Sequence, residues 1–266
     1  MWVRWVALVL FVTILGTVFV NLGEWQLHRL SERRAGNAVI TTNEAAPIVD
    51  VAEIFGRGPV LASEQWRRVR ATGTFDAAHQ YVIRYARNNS GDKTGYEVLT
   101  PLHTASGLTV LVNRGFVALD GGVKIPDVAP APPSGEVTVI GHTRIDQVGR
   151  RGSITPVNDQ VRLINSSAIA ATLPYPIASG YVGALTMTPA QAGGFVPVET
   201  PEISDGPHFW YAVQWFMFTG IGIAGIIVFF RGDLAERRQR RVEDSAAEQE
   251  RRAEVLAGSD HGSQTD

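Results

Sequence analysis

Hydrophobic positions are distributed very unevenly along this chain. From Trp5 to Leu22 the sequence WVALVLFVTILGTVFVNL is broken only by Thr13, Thr17 and Asn21. As a helix it rises roughly 27 Å, close to the hydrocarbon thickness of a bilayer. A second apolar run, Phe209 to Phe230, holds no formal charge and spans roughly 33 Å as a helix. Trp210, Tyr211 and Trp215 cluster at its start, as expected of an end at the water–lipid boundary. Gln214 is the strongly polar side chain inside it and is expected to face protein rather than lipid. The first run is longer than a usual signal-peptide core and no A-x-A-like site follows it, so it reads as an uncleaved anchor.

Between these runs the periodicity changes. Segment 35–64 is rich in Ala, Gly and Pro and reads as a connecting loop, with one short helix near Val49–Phe55. From Arg68 the pattern alternates. Arg68–Phe75, Gln80–Tyr85, Gly95–Thr104, Leu108–Val117 and Glu136–Ile145 are short, rich in β-branched and aromatic residues, and bounded by turn signals such as Asn-Ser-Gly and Asp-Gly-Gly. Five such segments predict a mainly antiparallel β domain, a small barrel or sandwich. Ser166–Leu173 suggests a short helix and Tyr181–Thr188 a late strand. The proline-rich stretch 124–135 reads as a surface loop. After Arg231 the tail alternates Arg with Glu and Asp, a solvated helix or a disordered tail. The expected organisation is therefore a cytoplasmic N-terminus (1–4), transmembrane helix (5–22), extracytoplasmic β-rich domain (23–208), transmembrane helix (209–230) and charged cytoplasmic tail (231–266).

Charge supplies the sidedness. Arg231, Arg237, Arg238, Arg240 and Arg241 follow the second run, whereas the residues from Pro189 to His208 include neither Lys nor Arg. The positive-inside rule places the C-terminus in the cytoplasm, and two spans return the N-terminus there. Arg29, Arg33 and Arg34 oppose this around the first helix. The second helix carries the sharper asymmetry and decides the orientation.

The chain has 266 residues, no cysteine and a net charge of −2. Disulfides, thiolate metal sites and iron–sulfur clusters are excluded, and nothing suggests nucleic acid as a partner. The six histidines show no zinc-ligand spacing, and there is neither a nucleophile elbow nor a P-loop. The sequence therefore does not argue for an enzyme. Gly220, Gly222 and Gly225 spell G-x-G-x-x-G inside the second apolar run. A dinucleotide site needs a strand before it, so these glycines read as helix-packing residues.

Two clusters carry possible chemistry. Leu22-Gly23-Glu24-Trp25-Gln26-Leu27-His28-Arg29 leaves the first helix. If the helix continues, Trp25, His28, Arg29 and Glu32 share a face, and the simplest reading is an interfacial anchor. Pro207-His208-Phe209-Trp210-Tyr211-Ala212-Val213-Gln214-Trp215 enters the second. A histidine there is most simply a polar helix cap, although one flanked by aromatics can also ligate a haem iron.

With the strand Val112-Asn113-Arg114-Gly115-Phe116-Val117 between them, these clusters resemble the surfeit locus protein one family of cytochrome c oxidase assembly factors. The matching residues are Leu22, Gly23, Trp25, Gln26, Leu27 and Arg29. They continue with Gly73 and Phe75; Gly95, Tyr96, Thr100, Pro101 and Leu102; Val112 to Val117; and Val139 and Gly141. His208, Tyr211, Ala212, Gln214, Trp215 and Phe216 complete the series. Pro207 stands where many members have Asn.

The resemblance implies an assembly factor for haem–copper oxidase that assists delivery of haem a to the large catalytic subunit. Haem a would be bound transiently, with His208 as candidate iron ligand and Tyr211, Gln214 and Trp215 around it. Trp25, Gln26, Arg29 and Arg114 would serve interaction or positioning. Arg114 reads as structural, pairing with a carboxylate, and Gly115 as a bulge or close approach. Implied partners are oxidase subunit I, haem a synthase and the lipid bilayer. Alternatives are a scaffold that holds oxidase subunits without haem, and an extracytoplasmic sensor. No Arg- and Ser-rich transit segment precedes the first helix, which favours a bacterial cell membrane over a mitochondrial one.

Overall fold

The computed structural model describes residues 2–88, 90–119, 125 and 129–261. The chain forms two units: Met1–Arg33 with Asp205–Asp266, and Arg34–Ser204.

The first unit is helical. Helix α1 (Trp2–Ala45) contributes its residues up to Arg33, and the last helix runs from His208 to His261. Both are long and apolar enough to cross a membrane. They pack antiparallel along a seam. On α1 the seam residues are Trp5, Val12, Gly16, Phe19, Gly23 and Gln26. Facing them are Phe230, Gly222, Thr219, Trp215 with Phe218, Phe216 and His208 respectively. The spacing alternates between three and four residues wherever the seam is continuous, the 3.5-residue repeat of knobs-into-holes packing. Of the G-x-G-x-x-G residues only Gly222 meets α1, with a Cβ position 3.4 Å from Val12 Cγ1; Gly220 and Gly225 face nothing within 4 Å.

Helix α1 does not stop at the predicted membrane end, and the expected loop from residue 35 is helical as far as Ala45. Tertiary contacts within the second unit explain this. Ile40 is buried, Asn43 Nδ2 donates to the Ser63 and Gln65 carbonyls at 2.7 and 2.8 Å, and Glu44 meets His142 at 2.5 Å. Pro47 disfavours helical geometry at the residue before it, which fits the helix ending at Ala45.

The second unit holds the strands β1 (Val49–Asp50), β2 (Arg68–Phe75), β3 (Tyr81–Arg87), β4 (Thr94–Thr104), β5 (Thr109–Ala118), β6 (Glu136–Arg144), β7 (Gln160–Val161) and β8 (Tyr181–Thr188). Short helices α2 (Val51–Phe55), α3 (Arg151–Ile154) and α4 (Ser166–Ala170) connect them, and the long C-terminal helix is α5. The strand order is β1-β2-β6-β8-β5-β4-β3-β7, and β2 also pairs with the end of β4 through Gly73–Phe75. That pairing closes β2, β6, β8, β5 and β4 into a ring, so the domain is a barrel and closure removes the sheet edges there. Pairing is mainly antiparallel, with β5–β8, β1–β2 and β3–β7 parallel.

The alternation of β2 works as read: Val69, Ala71 and Phe75 point inward and join Leu102, Val110, Val112, Val137, Val139 and Val182 in one core. Strand β5 is buried on both faces. Its Leu111 enters a second core with Tyr81, Ile83, Leu99, Ile164 and Ile169. Helix α2 caps the first core, and its start is fixed by a capping box between Asp50 and Glu53.

In the stretch read as a surface loop, Lys124 and 126–128 lie outside the described residues. The remainder has no regular structure but is tied inward, because Ala129 is buried and the Pro130 and Ala131 carbonyls hold Arg114. The tail is helical to His261, supported by an Asp233–Arg237 pair at 2.8 Å.

Candidate functional site

The two clusters singled out in the sequence meet inside the helical unit. Helix α5 begins at His208, and the Pro207 carbonyl accepts from Tyr211 N–H at 3.2 Å. Proline tolerates this position because helix-initiating residues need no amide partner. His208 Nδ1 lies 2.8 Å from Gln26 Oε1. A neutral imidazole that donates Nδ1–H to the Gln26 carbonyl oxygen presents the lone pair of Nε2. This is how a supporting group fixes the tautomer and orientation of a metal-ligating histidine.

The seam is built to bring this pair together. A Cβ on Gly23 would sit 2.7 Å from Phe216 Cζ, so the ring lies directly on the glycine backbone. Ala212, a small residue one turn into α5, is 1% exposed. Further along, Trp215 stacks on Phe19 with centroids 5.4 Å apart.

The other expected site residues are placed differently. Trp25 is exposed, and Arg29 is exposed and paired with Glu32 at 2.8 Å. His28 reaches the same carboxylate at 3.2 Å, so the shared helical face exists. Tyr211 is 47% exposed. Gln214 is exposed too, against the expectation that it faces protein. It stands two residues from Ala212, about 200° around the helix, and so lies opposite the seam.

Arg114 belongs to the barrel unit and is 1% exposed. Among the described residues no carboxylate pairs with it. Its Nε donates to Gln191 Oε1 at 3.0 Å, Nη1 to Gln80 Oε1 and the Pro130 carbonyl at 2.7 Å each, and Nη2 to the Ala131 carbonyl at 3.0 Å. The guanidinium also lies 4.8 Å from the Phe195 ring centroid. Burial pulls its pKa down to about 10, which leaves it a cation at neutral pH. Neutral acceptors suffice because several of them share the charge. Gly115 shows the close approach expected of it: φ is 120° and a Cβ would meet the Val196 carbonyl oxygen at 2.6 Å.

A buried polar cluster in the barrel went unnoticed in the sequence. The Arg144 guanidinium lies 3.7 Å over Trp66, and Asn113 donates to Glu97 at 2.6 Å. His142 is 2% exposed with Glu44 on its Nε2. Burial pushes the Glu97 carboxyl up, opposed by Asn113 and Arg144. It pushes the His142 imidazole down, opposed by Glu44. A usable signal was present: a histidine in a strand that also carries Val137, Val139 and Gly141; in the structure it sits next to the point where β6 shifts register against β8. A third group lies at the β2–β3 turn. Burial raises the Asp76 carboxyl, but hydrogen bonds from Tyr175, His79 and the Ala78 amide outweigh it and hold it below the usual range. Among the described residues no three potential ligands gather as a metal site.

A β barrel between two membrane-length helices in the chain, with a histidine oriented by a glutamine where the last helix starts, defines the class of protein. The sequence pattern of the SURF1 family matches residues 13–220. The chain is 30% identical over 242 residues to a SURF1-like protein of Mycobacterium tuberculosis, covering 89% of this chain and 87% of that one. It is 30% identical over 170 residues to surfeit locus protein 1 of Takifugu rubripes, covering 57% and 67%. The human surfeit locus protein 1 is 26% identical over 249 residues, covering 86% and 76%. The chain belongs to the SURF1 family, which is associated with cytochrome c oxidase assembly.

Proposed function

We propose that this protein assists assembly of a haem–copper cytochrome c oxidase by transiently holding haem a as cargo at His208, without catalysing a reaction of its own. The observation that carries the reading is the Gln26–His208 hydrogen bond, which joins the two motifs and leaves Nε2 available. His208 is half-buried, and the exposed rings of Phe209, Trp210 and Tyr211 adjoin it in the chain. These features suit a histidine that would hold a haem iron beside a planar apolar ligand. Haem a would supply the iron. The chain would fix the imidazole and its proton at Nδ1.

The arginines that follow the apolar run within α5 support a bacterial cell membrane protein with both termini in the cytoplasm and the barrel outside. Oxidase subunit I as acceptor and haem a synthase as donor are the partners this reading requires.

The test is complementation of a strain lacking this protein, with haem a absorbance of the membranes as the measure of assembled oxidase. His208→Ala should lower that absorbance about tenfold, the loss of one charge-assisted contact or metal bond. Full complementation by His208→Ala, with failure on altering the barrel surface, would establish instead a scaffold that works without haem.

A further inference from the structure

The barrel unit carries a second feature that the haem reading does not use. Strand β3 breaks its register with β4 between Arg84 and Ala86. The extra residue, Tyr85, adopts φ 60° and is 61% exposed. Bulges of this kind re-aim a side chain, and a non-glycine residue held in the left-handed region points to a local function. Strand β7 pairs parallel to β3 through Val82–Gln160 and Ile83–Val161, which delivers Arg162 to the same place.

The guanidinium carbons of Arg84 and Arg162 each lie 5.0 Å from the Tyr85 ring centroid. The two cations are therefore within twice that distance of one another. Neither has a carboxylate partner among the described residues. Arg84 donates to the Tyr85 hydroxyl at 3.0 Å, and its shielded Nε has no acceptor among the described residues. Between them runs a groove of about 470 Å³, a volume in the range of ligand sites. Thr155, Asn158 and Gln160 supply further polar groups to its lining, and no Asp or Glu lines it. Asp159, the nearest acid in sequence, stays outside the lining; its carbonyl takes the Val82 amide at 2.8 Å.

We propose that this groove binds a phosphate group, with Arg84 and Arg162 as its two cationic arms. Two like charges gathered without a counter-charge ask for an anion. A tetrahedral oxyanion carrying more than one charge can accept from both guanidinium forks, which a single carboxylate satisfies less well. The groove exceeds the phosphate itself, so the group arrives as an ester with room for its substituent beside the exposed Tyr85 ring. The ester is either an anionic lipid headgroup or a soluble phosphate ester. The inference is independent of the haem reading, since it concerns neither His208 nor Gln26.

The test uses the full chain in phosphatidylcholine nanodiscs, titrated with inorganic phosphate at low salt and followed by calorimetry. Saturable binding is expected, weakened about tenfold by Arg162→Gln and again by adding Arg84→Gln. Arg162 is exposed and Arg84 half-exposed, and an unchanged melting curve will show that the variants remain folded. Repeating the titration in discs containing phosphatidylglycerol separates the sources. A loss of phosphate affinity in wild type, absent from the double variant, assigns the groove to a headgroup; equal affinity in both discs assigns it to a soluble ester. Non-saturable binding, or equal binding by wild type and the double variant, overturns the proposal.

Discussion

Replacing Arg114 by Met keeps most of the side-chain volume and removes every donor. Four acceptors then lose a donor: Gln191 Oε1, Gln80 Oε1 and the carbonyls of Pro130 and Ala131. A hydrogen bond from a charged donor is worth about 1.5–3 kcal/mol, but the sum over four overstates the loss, because the guanidinium no longer has to be desolvated. Ala131 is exposed and its carbonyl can be hydrated, and Gln80 Oε1 keeps the Thr100 hydroxyl at 3.2 Å. The Pro130 carbonyl and the Gln191 oxygen, whose amide is held by its own bond to the Arg114 carbonyl at 2.7 Å, remain, at about 1–3 kcal/mol each. Net destabilisation of the barrel should be about 3 kcal/mol. Arg114→Lys keeps the charge but not the fork, and should cost about half as much. The assay is urea-dependent proteolysis of the full chain in detergent, scoring cleavage within the barrel. A shift for Arg114→Met below about 0.5 kcal/mol, the scale of a neutral surface substitution, would refute the reasoning.

Gly141→Ala places a methyl 2.3 Å from the Gly183 carbonyl oxygen and 2.7 Å from Val182 Cγ1. Backbone on the facing strand cannot yield cheaply, so a loss of about 3 kcal/mol is expected in the same proteolysis assay. His142 has a pKa below its ordinary 6.5 because burial outweighs Glu44, with Arg144 and Arg68 acting in the same direction as burial. The folded state therefore binds the proton less readily than the unfolded one. This contribution to stability is fully present above pH 6.5 and is lost as pH falls from there through the lowered value. A melting series over that window should show the slope, and His142→Gln should remove it.

How far the sequence reveals this molecule differs from element to element. The alternation of Val69, Ala71 and Phe75 marks β2 because each of its faces meets a different environment, and the other long strands follow the same logic. The two-residue strands β1 and β7 are too short to carry a period; only pairing with β2 and β3 defines them. Residues 35–45 look like loop because they open a segment rich in Ala, Gly and Pro with little hydrophobic periodicity. They are helical because Ile40, Asn43 and Glu44 find partners on the barrel, a tertiary effect that overrides propensity. In the apolar helices the seam is masked, since nearly every position is hydrophobic. Small residues mark it: Gly16, Gly23, Ala212 and Gly222. Gln26 and His208 were each visible as polar residues at helix ends. Their pairing spans the whole barrel domain in sequence and no local pattern could supply it. Arg114 looked like half of an ion pair, whereas its partners among the described residues are the Gln80 and Gln191 side chains and two adjacent carbonyls of one loop.

The central claim is that Gln26 holds His208 ready to receive haem. It is tested most directly by purifying the full chain from cells that make haem a and recording the haem absorbance per protein. Wild type should carry haem, His208→Ala should carry about tenfold less, and Gln26→Leu should fall between, because one supporting hydrogen bond worth about 0.5–1.5 kcal/mol is lost while the ligand remains. Wild-type protein free of haem, or equal haem on wild type and His208→Ala, would contradict the account.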